Sequence, residues 1–494
     1  MGFRHRWNYE KVVAELSASE IRTLNIPVAG KINIALIYPG PYSLGISNLG
    51  FQAVHRLAGS VPGIGTERFF FPVEAGKPHP PPFYSFETRR PLGDFDVLAF
   101  SISFEEDFER LAMILGPLGI PVDAKDRGPR HPLLIAGGAA VGANPEALSR
   151  VMDILIPGEA ETTWTEVLRN LLVNGGDLDT LAEFPGVWIP GKRSRVNEAP
   201  EAFDVNSSPA FSHVFSPVNV FGGAYLLEIM RGCPRVCRFC LARVLYKPAR
   251  PVSSTTIERW LDANPRCSDL GLVAPSLFDH PELVRILEIL SQRKISLRNS
   301  SVKWEKLSDR VLNLLLDCGV RGLTLAPESG SLERLSDMGK PLPSDPFFAT
   351  LRRVLDHGIE HLKMYFMVGL PNETDQDVQM TVGLIREVVM RFGSRLKGLG
   401  VSISGFVPKR GTPWENEEVA DQSVLRKRFD TVRHELKALG FPGLVVQTES
   451  PQGVVQQARL ARLGGEFVDH LRSLAEAYRR KGATRCDLPD NWEF

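Results

Sequence analysis

Apolar and polar residues alternate along the chain in a first series of short strands and helices. Four short apolar runs are typical of buried strands: KINIALIYPG (31–40), FDVLAFSISF (95–104), HPLLIAGG (131–138) and VMDILIPG (151–158). The segments ISNLGFQAVHRLAG (46–59) and EEDFERLAMILGPL (105–118) between them place apolar residues at helical spacing. Buried strands that alternate with helices predict an α/β fold, a doubly wound parallel sheet with helices on both faces.

A second series of the same kind begins near residue 224. Its predicted strands are AYLLEIM (224–230), DLGLVAP (269–275), KISLRNSS (294–301), VRGLTLAPE (320–328), IEHLKMYFMVG (359–369) and LGVSISGF (399–406). Amphipathic segments such as HPELVRILEILSQR (280–293) separate them. Six βα units predict a partial (βα)6 barrel, since a full eight-unit barrel takes roughly 250 residues.

The two series divide the chain into five predicted segments. They are a helical lead-in (1–30), a Rossmann-type domain (31–174), an irregular connector rich in Gly, Pro, Ser and Asn (175–222), the partial barrel (223–414) and a helical C-terminal region (415–494).

Composition narrows the class of protein only slightly. The net charge of the 494 residues is zero, so no overall charge attracts the protein to nucleic acid or an anionic membrane. No apolar stretch of about 18 residues predicts a membrane span, and the charged N-terminus is not typical of a signal peptide. Six cysteines, three of them clustered, fit a reducing cytoplasm better than a disulfide framework.

The clustered cysteines lie in the segment EIMRGCPRVCRFCLAR (228–243), with the spacing C-x3-C-x2-C. They directly follow the first strand of the predicted barrel, and barrels carry their chemistry at the carboxyl ends of strands. A structural zinc site needs four ligands. The remaining cysteines, Cys267, Cys318 and Cys486, are not spaced to supply the fourth. An iron–sulfur cubane with three thiolate ligands and one open iron is the favoured interpretation; zinc and chance clustering are the alternatives.

This motif resembles that of the radical S-adenosylmethionine superfamily, with the aromatic Phe239 before the last cysteine. The resemblance implies a 4Fe-4S cluster on Cys233, Cys237 and Cys240, whose open iron chelates S-adenosylmethionine. Reduction then cleaves the sulfonium to methionine and a 5′-deoxyadenosyl radical, which abstracts hydrogen. The expected partners are a substrate of unknown class and an electron donor, either a reductase or a flavodoxin-type protein.

Three later segments also resemble this family. LTLAPESGSLERL (323–335) places Glu328 near the bound S-adenosylmethionine, and MYFMVGLPNET (364–374) places Gly369 beside its adenine. SGFVPKRGTPWE (404–415) is similar to the end of the sixth strand in cobalamin-type members. The Gly-Gly-Glu motif of many members is replaced by VAPSLFD, where Ser276 is the candidate contact to the methionyl amino group. Helix capping by Glu328, an ordinary turn at Gly369 and core packing by Phe239 are the structural alternatives.

The N-terminal segment resembles the cobalamin-binding domain of one class of radical enzymes. Ser101 and Ser103 after one strand, and Gly137 and Gly138 after the next, provide small residues where a corrinoid tail would pass. The signature Asp-x-His-x-x-Gly is absent, and His55 falls within a predicted helix. The resemblance therefore implies cobalamin without a histidine on cobalt.

The expected function is that of a cytoplasmic radical enzyme, a cobalamin-dependent methyltransferase or a rearranging enzyme acting on an unactivated carbon. One alternative is a cobalamin-free radical enzyme with a structural Rossmann-like domain. Another is a non-catalytic iron–sulfur or zinc protein that acts as a sensor or scaffold.

Overall fold

The computed structural model describes residues 2–71, 83–192, 202–298, 301–340 and 345–481. The strands, in chain order, are β1 (Ile21–Arg22), β2 (Ile32–Tyr38), β3 (Ile64–Phe70), β4 (Val97–Ser101), β5 (Leu133–Gly137), β6 (Ile154–Ile156), β7 (Val214–Phe215), β8 (Tyr225–Glu228), β9 (Met230–Arg231), β10 (Arg250–Pro251), β11 (Asp269–Val273), β12 (Ser296–Leu297), β13 (Gly322–Glu328), β14 (His361–Val368), β15 (Gly398–Gly405) and β16 (Leu444–Thr448). The helices are α1 (Gly2–Ala18), α2 (Tyr42–Ile46), α3 (Leu49–Gly59), α4 (Asp107–Leu118), α5 (Ala139–Ala143), α6 (Ala160–Asn174), α7 (Leu178–Leu181), α8 (Ala242–Leu245), α9 (Ser254–Ala263), α10 (Leu283–Gln292), α11 (Asp309–Asp317), α12 (Leu332–Met338), α13 (Asp345–Asp356), α14 (Asp375–Phe392), α15 (Gln422–Lys437), α16 (Pro451–Ala461) and α17 (Phe467–Lys481).

The chain folds into two compact units. The N-terminal unit comprises residues 1–204, 210–227 and 460–494, and the barrel unit comprises residues 205–209 and 228–459. This division differs from the five segments that the sequence predicts, because the connector and the C-terminal region are each shared between the two units. Long-range packing decides this division, and local periodicity does not report it.

The N-terminal unit is built on a parallel sheet of five strands in the order β3-β2-β4-β5-β6. From β2 the chain adds β3 on one side of the sheet and then crosses to add β4, β5 and β6 on the other side. The topological switch point therefore lies between the carboxyl ends of β2 and β4. In open parallel sheets of this order, ligands bind at the carboxyl ends of the strands at that point.

Side chains that alternate along these strands fill two cores, one on each face of the sheet. Ile34 and Leu36 of β2 pack with α3 and α6, whereas Ala35 and Ile37 pack with α4 and α17. The second core therefore needs the last described helix of the chain. At Gly116 of α4 an added Cβ would lie 2.4 Å from the carbonyl oxygen of Ala475 on α17, so the two helices approach each other closely.

The buried strand β3 was not among the predicted strands. Its sequence, IGTERFF, contains two charged residues that interrupt the apolar pattern, yet all seven residues are buried. Glu67 accepts hydrogen bonds from the Ser85 and Thr88 hydroxyls. Arg68 pairs with Glu20 at 2.7 Å and with Glu87 at 2.6 Å. Buried charges are tolerated when they are paired in this way.

Besides the antiparallel pair β9–β10, the barrel strands form two sheets. In the first, β11 lies between β8 and β12; the second is β13-β14-β15-β16, with all of its strands parallel. A parallel bridge between Ser301 and Thr324 links the segment after β12 to β13. The strands thus follow one another in barrel order, as the predicted partial barrel requires. Beyond the six predicted strands, the structure adds β16, which lies in the region that the sequence predicts as helical.

None of the described helices is long and apolar enough to cross a membrane.

Candidate functional site

The cysteine cluster lies in a closed loop of the barrel unit. β9 enters the loop and β10 leaves it, and these two strands pair antiparallel, with Arg231 opposite Arg250. At the entry, Gly232 has a positive φ of 75°, and a Cβ there would lie 2.0 Å from the carbonyl oxygen of Tyr246. Only glycine fits this close approach. The base of the loop is therefore held by backbone contacts.

The three thiols of this loop are free and partly exposed. The Cys240 N–H donates to the Cys237 carbonyl at 3.4 Å. Burial raises the pKa of Cys237, and the nearby ammonium of Lys340 acts in the opposite direction. Within the described ranges, no three His, Cys, Asp or Glu side chains gather where a single metal ion would be held. A 4Fe-4S cubane with one open iron takes three thiolates, and the three free thiols of this loop supply that number.

Asp279 anchors the loop to the segment after β11. Its carboxylate accepts two hydrogen bonds from Arg235, at 2.8 and 2.6 Å, and one from the Ser276 hydroxyl at 2.7 Å. Lys303 also pairs with it. Burial opposes ionisation, but these donors hold the pKa of Asp279 well below its usual range. The Ser276 hydroxyl, the candidate contact to the methionyl amino group, therefore serves Asp279 in this structure.

Glu328 ends β13 in a left-handed backbone conformation, with φ at 69°, after a bulge in the strand. Its carboxylate accepts from the ammonium of Lys340 at 2.9 Å, and both side chains are largely buried. Burial disfavours the charged ammonium, but the Glu328 carboxylate outweighs it and raises the pKa of Lys340. Helix α12 is capped by Ser331, whose hydroxyl accepts from the Arg334 N–H. Glu328 is therefore not a helix cap, and it faces the cysteine loop through Lys340.

Phe239 and Gly369 lie on the apolar side of the loop. Phe239 packs against a cluster of Leu335, Met338, Leu370, Phe406 and Trp414, and its ring centroid lies 6.5 Å from that of Trp414. Gly369 has a positive φ of 77°, and its N–H donates to Glu373 at 2.6 Å. Burial raises the pKa of Glu373 to about 7 although Arg428 pairs with it. Both residues thus have packing roles, whatever ligand they contact.

A polar cluster occupies the switch point of the N-terminal unit. Asn48 donates to the Ser103 hydroxyl at 2.9 Å, and Arg110 bridges the Pro39 carbonyl and the Asp107 carboxylate. The second carboxylate oxygen of Asp107, Oδ2, is buried and has no hydrogen-bond partner among the described residues. Burial raises the pKa of Asp107 to about 7, against the effect of Arg110.

The other small residues predicted there have packing roles in the sheet. Ser101 is buried at the end of β4. A Cβ on Gly138 would lie 2.4 Å from the Ile102 carbonyl oxygen, and one on Gly137 would lie 3.1 Å from that of Ile156. The two glycines are thus needed for close approach to neighbouring backbone, independently of any ligand.

His55 is paired with a second buried histidine. Its Nδ1 lies 2.9 Å from Nε2 of His213, and both rings are buried. Its position within α3 agrees with the sequence prediction.

Sequence reasoning missed three charged residues of the barrel site. Lys340 follows α12, twelve positions after its partner Glu328, and Asp279 and Arg235 are 44 positions apart. No local pattern reports such pairs. The only available signal was the acidic residue at the end of VAPSLFD, the segment that replaces Gly-Gly-Glu.

A family model described as the radical SAM superfamily matches residues 227–385, which include the cysteine loop, Glu328 and Gly369. The chain belongs to the radical S-adenosylmethionine superfamily. A second model, for the N-terminal part of radical SAM proteins, matches residues 50–190, so the two matches span more than half of the chain.

Three known proteins are similar to this chain over most of its length. An uncharacterised protein of Methanocaldococcus jannaschii is 28% identical over 435 residues, covering 87% of this chain and 88% of its own. The radical S-adenosylmethionine methyltransferase TsrM of Kitasatospora setae, solved with cobalamin and a [4Fe-4S] cluster bound, has the same fold. Its TM-score is 0.56 at 14% identity, over 92% of this chain and 99% of TsrM. The cobalamin-dependent radical enzyme OxsB gives a TM-score of 0.50 at 16% identity, over 71% of this chain and 51% of OxsB.

Proposed function

We propose that this radical S-adenosylmethionine enzyme holds a 4Fe-4S cluster on Cys233, Cys237 and Cys240 and uses cobalamin to methylate or rearrange an unactivated carbon. The observation that carries the proposal is the closed loop with three free thiols in the segment that the superfamily model matches. The proposed use of cobalamin is supported by the fold shared with TsrM, which was solved with cobalamin bound, and with the cobalamin-dependent OxsB.

When bound, the cluster supplies the electron that splits S-adenosylmethionine into methionine and a 5′-deoxyadenosyl radical. Residues of the chain supply charge, anchor the loop and exclude water. Lys340 places a positive charge near Cys237, whose pKa burial raises. Asp279 ties the loop to the barrel through Arg235. Phe239 and its apolar neighbours keep water from that side of the loop.

Iron binding tests the ligand assignment. We expect a variant with Cys267, Cys318 and Cys486 all replaced by alanine to keep about four irons per chain after anaerobic reconstitution, as a 4Fe-4S cluster requires. Cys267 and Cys318 are buried away from the loop, and burial raises their pKa values to about 12 and about 11; Cys486 lies outside the described residues. The matched variant with Cys233, Cys237 and Cys240 replaced should keep no cluster. Loss of the cluster from the first variant would contradict the assignment.

Product analysis tests the reaction class. With a strong reductant, the reconstituted enzyme should release 5′-deoxyadenosine and methionine, even without its substrate. A sensor or a zinc protein would release neither, and that result would favour the non-catalytic alternative.

When bound, cobalamin supplies a carrier for the methyl group. The edge of the N-terminal sheet suits an amide-rich ligand of this kind, because Oδ2 of Asp107 lacks a partner there. None of the histidines placed in the described part of this unit follows a strand of the sheet: His5 and His55 lie in helices, His131 precedes β5, His213 precedes β7, and His470 lies on α17. We therefore propose that the cobalt has no histidine ligand.

Electron paramagnetic resonance of the cobalt(II) state tests this ligand claim. The probe is cobinamide, which lacks the nucleotide base and so carries no axial nitrogen of its own. We expect about one corrinoid per chain and no superhyperfine splitting from nitrogen. A split spectrum would refute the claim, and a His79→Ala control, at a position outside the described residues, would show whether that residue is the source.

The cobalamin-free radical enzyme is the second candidate. The packing roles of Gly137 and Gly138 favour it, because they explain both glycines without a corrinoid. Failure of the purified protein to retain cobalamin or cobinamide, together with release of 5′-deoxyadenosine, would establish this alternative.

A further inference from the structure

Exposed apolar side chains flank the polar cluster at the switch point of the N-terminal sheet. Phe104 is 50% exposed and Val220 is 55% exposed. Three polar residues connect them. The Val220 N–H donates to the Ser47 hydroxyl at 2.9 Å. Asn48, which follows Ser47 in the chain, donates to Ser103, which precedes Phe104. We call these five residues the edge strip.

The polar members of the edge strip are occupied within the protein. The side-chain oxygen Oδ1 of Asn48 caps α3 by accepting from the Phe51 N–H, while its side-chain Nδ2 donates to the Ser103 hydroxyl. The strip is thus a fixed scaffold, and its exposed surface is mainly the two apolar side chains. Large apolar side chains clustered beside a ligand crevice mark a binding surface.

Phe104 is the larger of these two side chains and the closer to β4, one of the two strands of the switch point. Its backbone is held from both sides. The carbonyl accepts from the Asp107 N–H at 3.1 Å, and Ser103 before it is bonded to Asn48. The backbone position of Phe104 is thus fixed, and its half-exposed ring offers a flat apolar face with no lone pair that can ligate a metal.

We infer that Phe104 lies against the lower face of the corrin ring and takes the place of an axial ligand. The inference rests on the proposed cobalamin function. A phenyl ring there excludes water from the cobalt and leaves its lower position without a donor. Weak lower ligation favours the reduced cobalt that accepts a methyl cation, which is the state that methyl transfer from S-adenosylmethionine needs.

A histidine introduced at this position tests the inference directly. In Phe104→His the imidazole should reach the cobalt of bound cobinamide and split its cobalt(II) resonance into nitrogen triplets, which the parent protein lacks. Val220→His, at an equally exposed position on the other side of the edge strip, is the matched control and should give no splitting. Urea denaturation, compared with the parent, checks that the N-terminal unit of each variant is folded.

The affinity of Phe104→Ala for cobinamide is an independent test. Loss of the ring should weaken cobinamide binding at least about tenfold, whereas Phe104→Leu, which keeps an apolar cover, should lose less.

Each result decides one of the two claims. Corrinoid retained by Phe104→His without nitrogen splitting, or unchanged affinity in Phe104→Ala, would overturn the inference and leave the cobalamin function standing. Failure of the parent protein to bind any corrinoid would overturn the cobalamin function and the inference with it.

Discussion

Single residues decide how the cysteine loop is held and what it faces. Ser276 had been expected to contact the methionyl amino group in place of the Gly-Gly-Glu motif, but its hydroxyl donates to Asp279. Asp279 in turn holds Arg235 of the loop and Lys303. The segment VAPSLFD therefore supplies an anchor for the loop. The Ser276 oxygen can still accept a hydrogen bond, so its contact with the methionyl amino group stays a prediction.

Asp279→Asn removes the charge that pairs two cations. Arg235 and Lys303 then lose their common carboxylate, and each charged hydrogen bond contributes roughly 1.5–3 kcal/mol. We expect the reconstituted variant to lose iron about tenfold faster than the parent when a chelator is added. Asp262→Asn is the control, because its partner Arg293 and its own carboxylate lie at the surface. Equal rates of iron loss in parent and Asp279→Asn would show that the anchor does not support the cluster.

Glu328→Ala tests the residue for which the sequence predicts contact with S-adenosylmethionine. A charge-assisted hydrogen bond of roughly 1.5–3 kcal/mol predicts a dissociation constant about 10- to 100-fold higher. Isothermal titration of the reconstituted protein with S-adenosylmethionine measures it. Glu333→Ala, whose side chain is 76% exposed on α12, should bind as the parent does. An unchanged constant in Glu328→Ala would mean that Glu328 serves only to hold Lys340.

At the scale of elements, β3 and β16 of the two large parallel sheets were not predicted, and both carry polar residues. β3 includes Glu67 and Arg68, which are acceptable in a buried strand only because residues from other parts of the chain pair with them. β16 is half-exposed along its length and follows a long helical segment, so its five residues were predicted as part of a helical region. Pairing with β15 makes it a strand.

Gly116 allows the close packing of α4 on α17. A methyl group there would lie 2.4 Å from the Ala475 carbonyl oxygen, so Gly116→Ala must force the helices apart. We expect the free energy of unfolding of the N-terminal unit to fall by roughly 1–3 kcal/mol, measured by urea denaturation. Gly383→Ala is the matched control: Gly383 lies within α14 and an added Cβ meets nothing within 4 Å. In that variant the free energy of unfolding of the barrel unit, to which α14 belongs, should rise by about 0.5–1 kcal/mol. A loss in both would point to a general intolerance of glycine replacement.

At the scale of the whole molecule, a buried histidine pair links stability to pH. Burial lowers the pKa of His213 to about 2, with further effects from His55, Arg68 and Arg56. Burial also holds the pKa of His55 well below its usual value, helped by Arg68 and Arg22. Unfolded histidines titrate near 6.5. Below that pH the unfolded chain therefore binds protons that the folded protein does not, and stability falls as pH falls.

His213→Gln removes one of these two proton differences. We expect its free energy of unfolding to depend less steeply on pH than that of the parent, by up to about 1.4 kcal/mol per pH unit between about pH 5 and pH 6. The comparison between variant and parent cancels other titrating groups. His434→Gln, at an exposed position on α15, should keep the parent slope. Parallel slopes for parent and His213→Gln would show that His213 is protonated to the same extent in both states.

The sequence by itself determined the order of the α/β elements, the two series of strands and the three-cysteine motif with its family. These follow from local periodicity and spacing, which are properties of neighbouring residues. Only the tertiary structure decided that α17 returns to cover the N-terminal sheet, that charged β3 is buried, and that Lys340, Asp279 and Arg235 frame the cysteine loop. Those features depend on pairs far apart in the chain, whose energies become favourable only when folding brings them together and removes them from water.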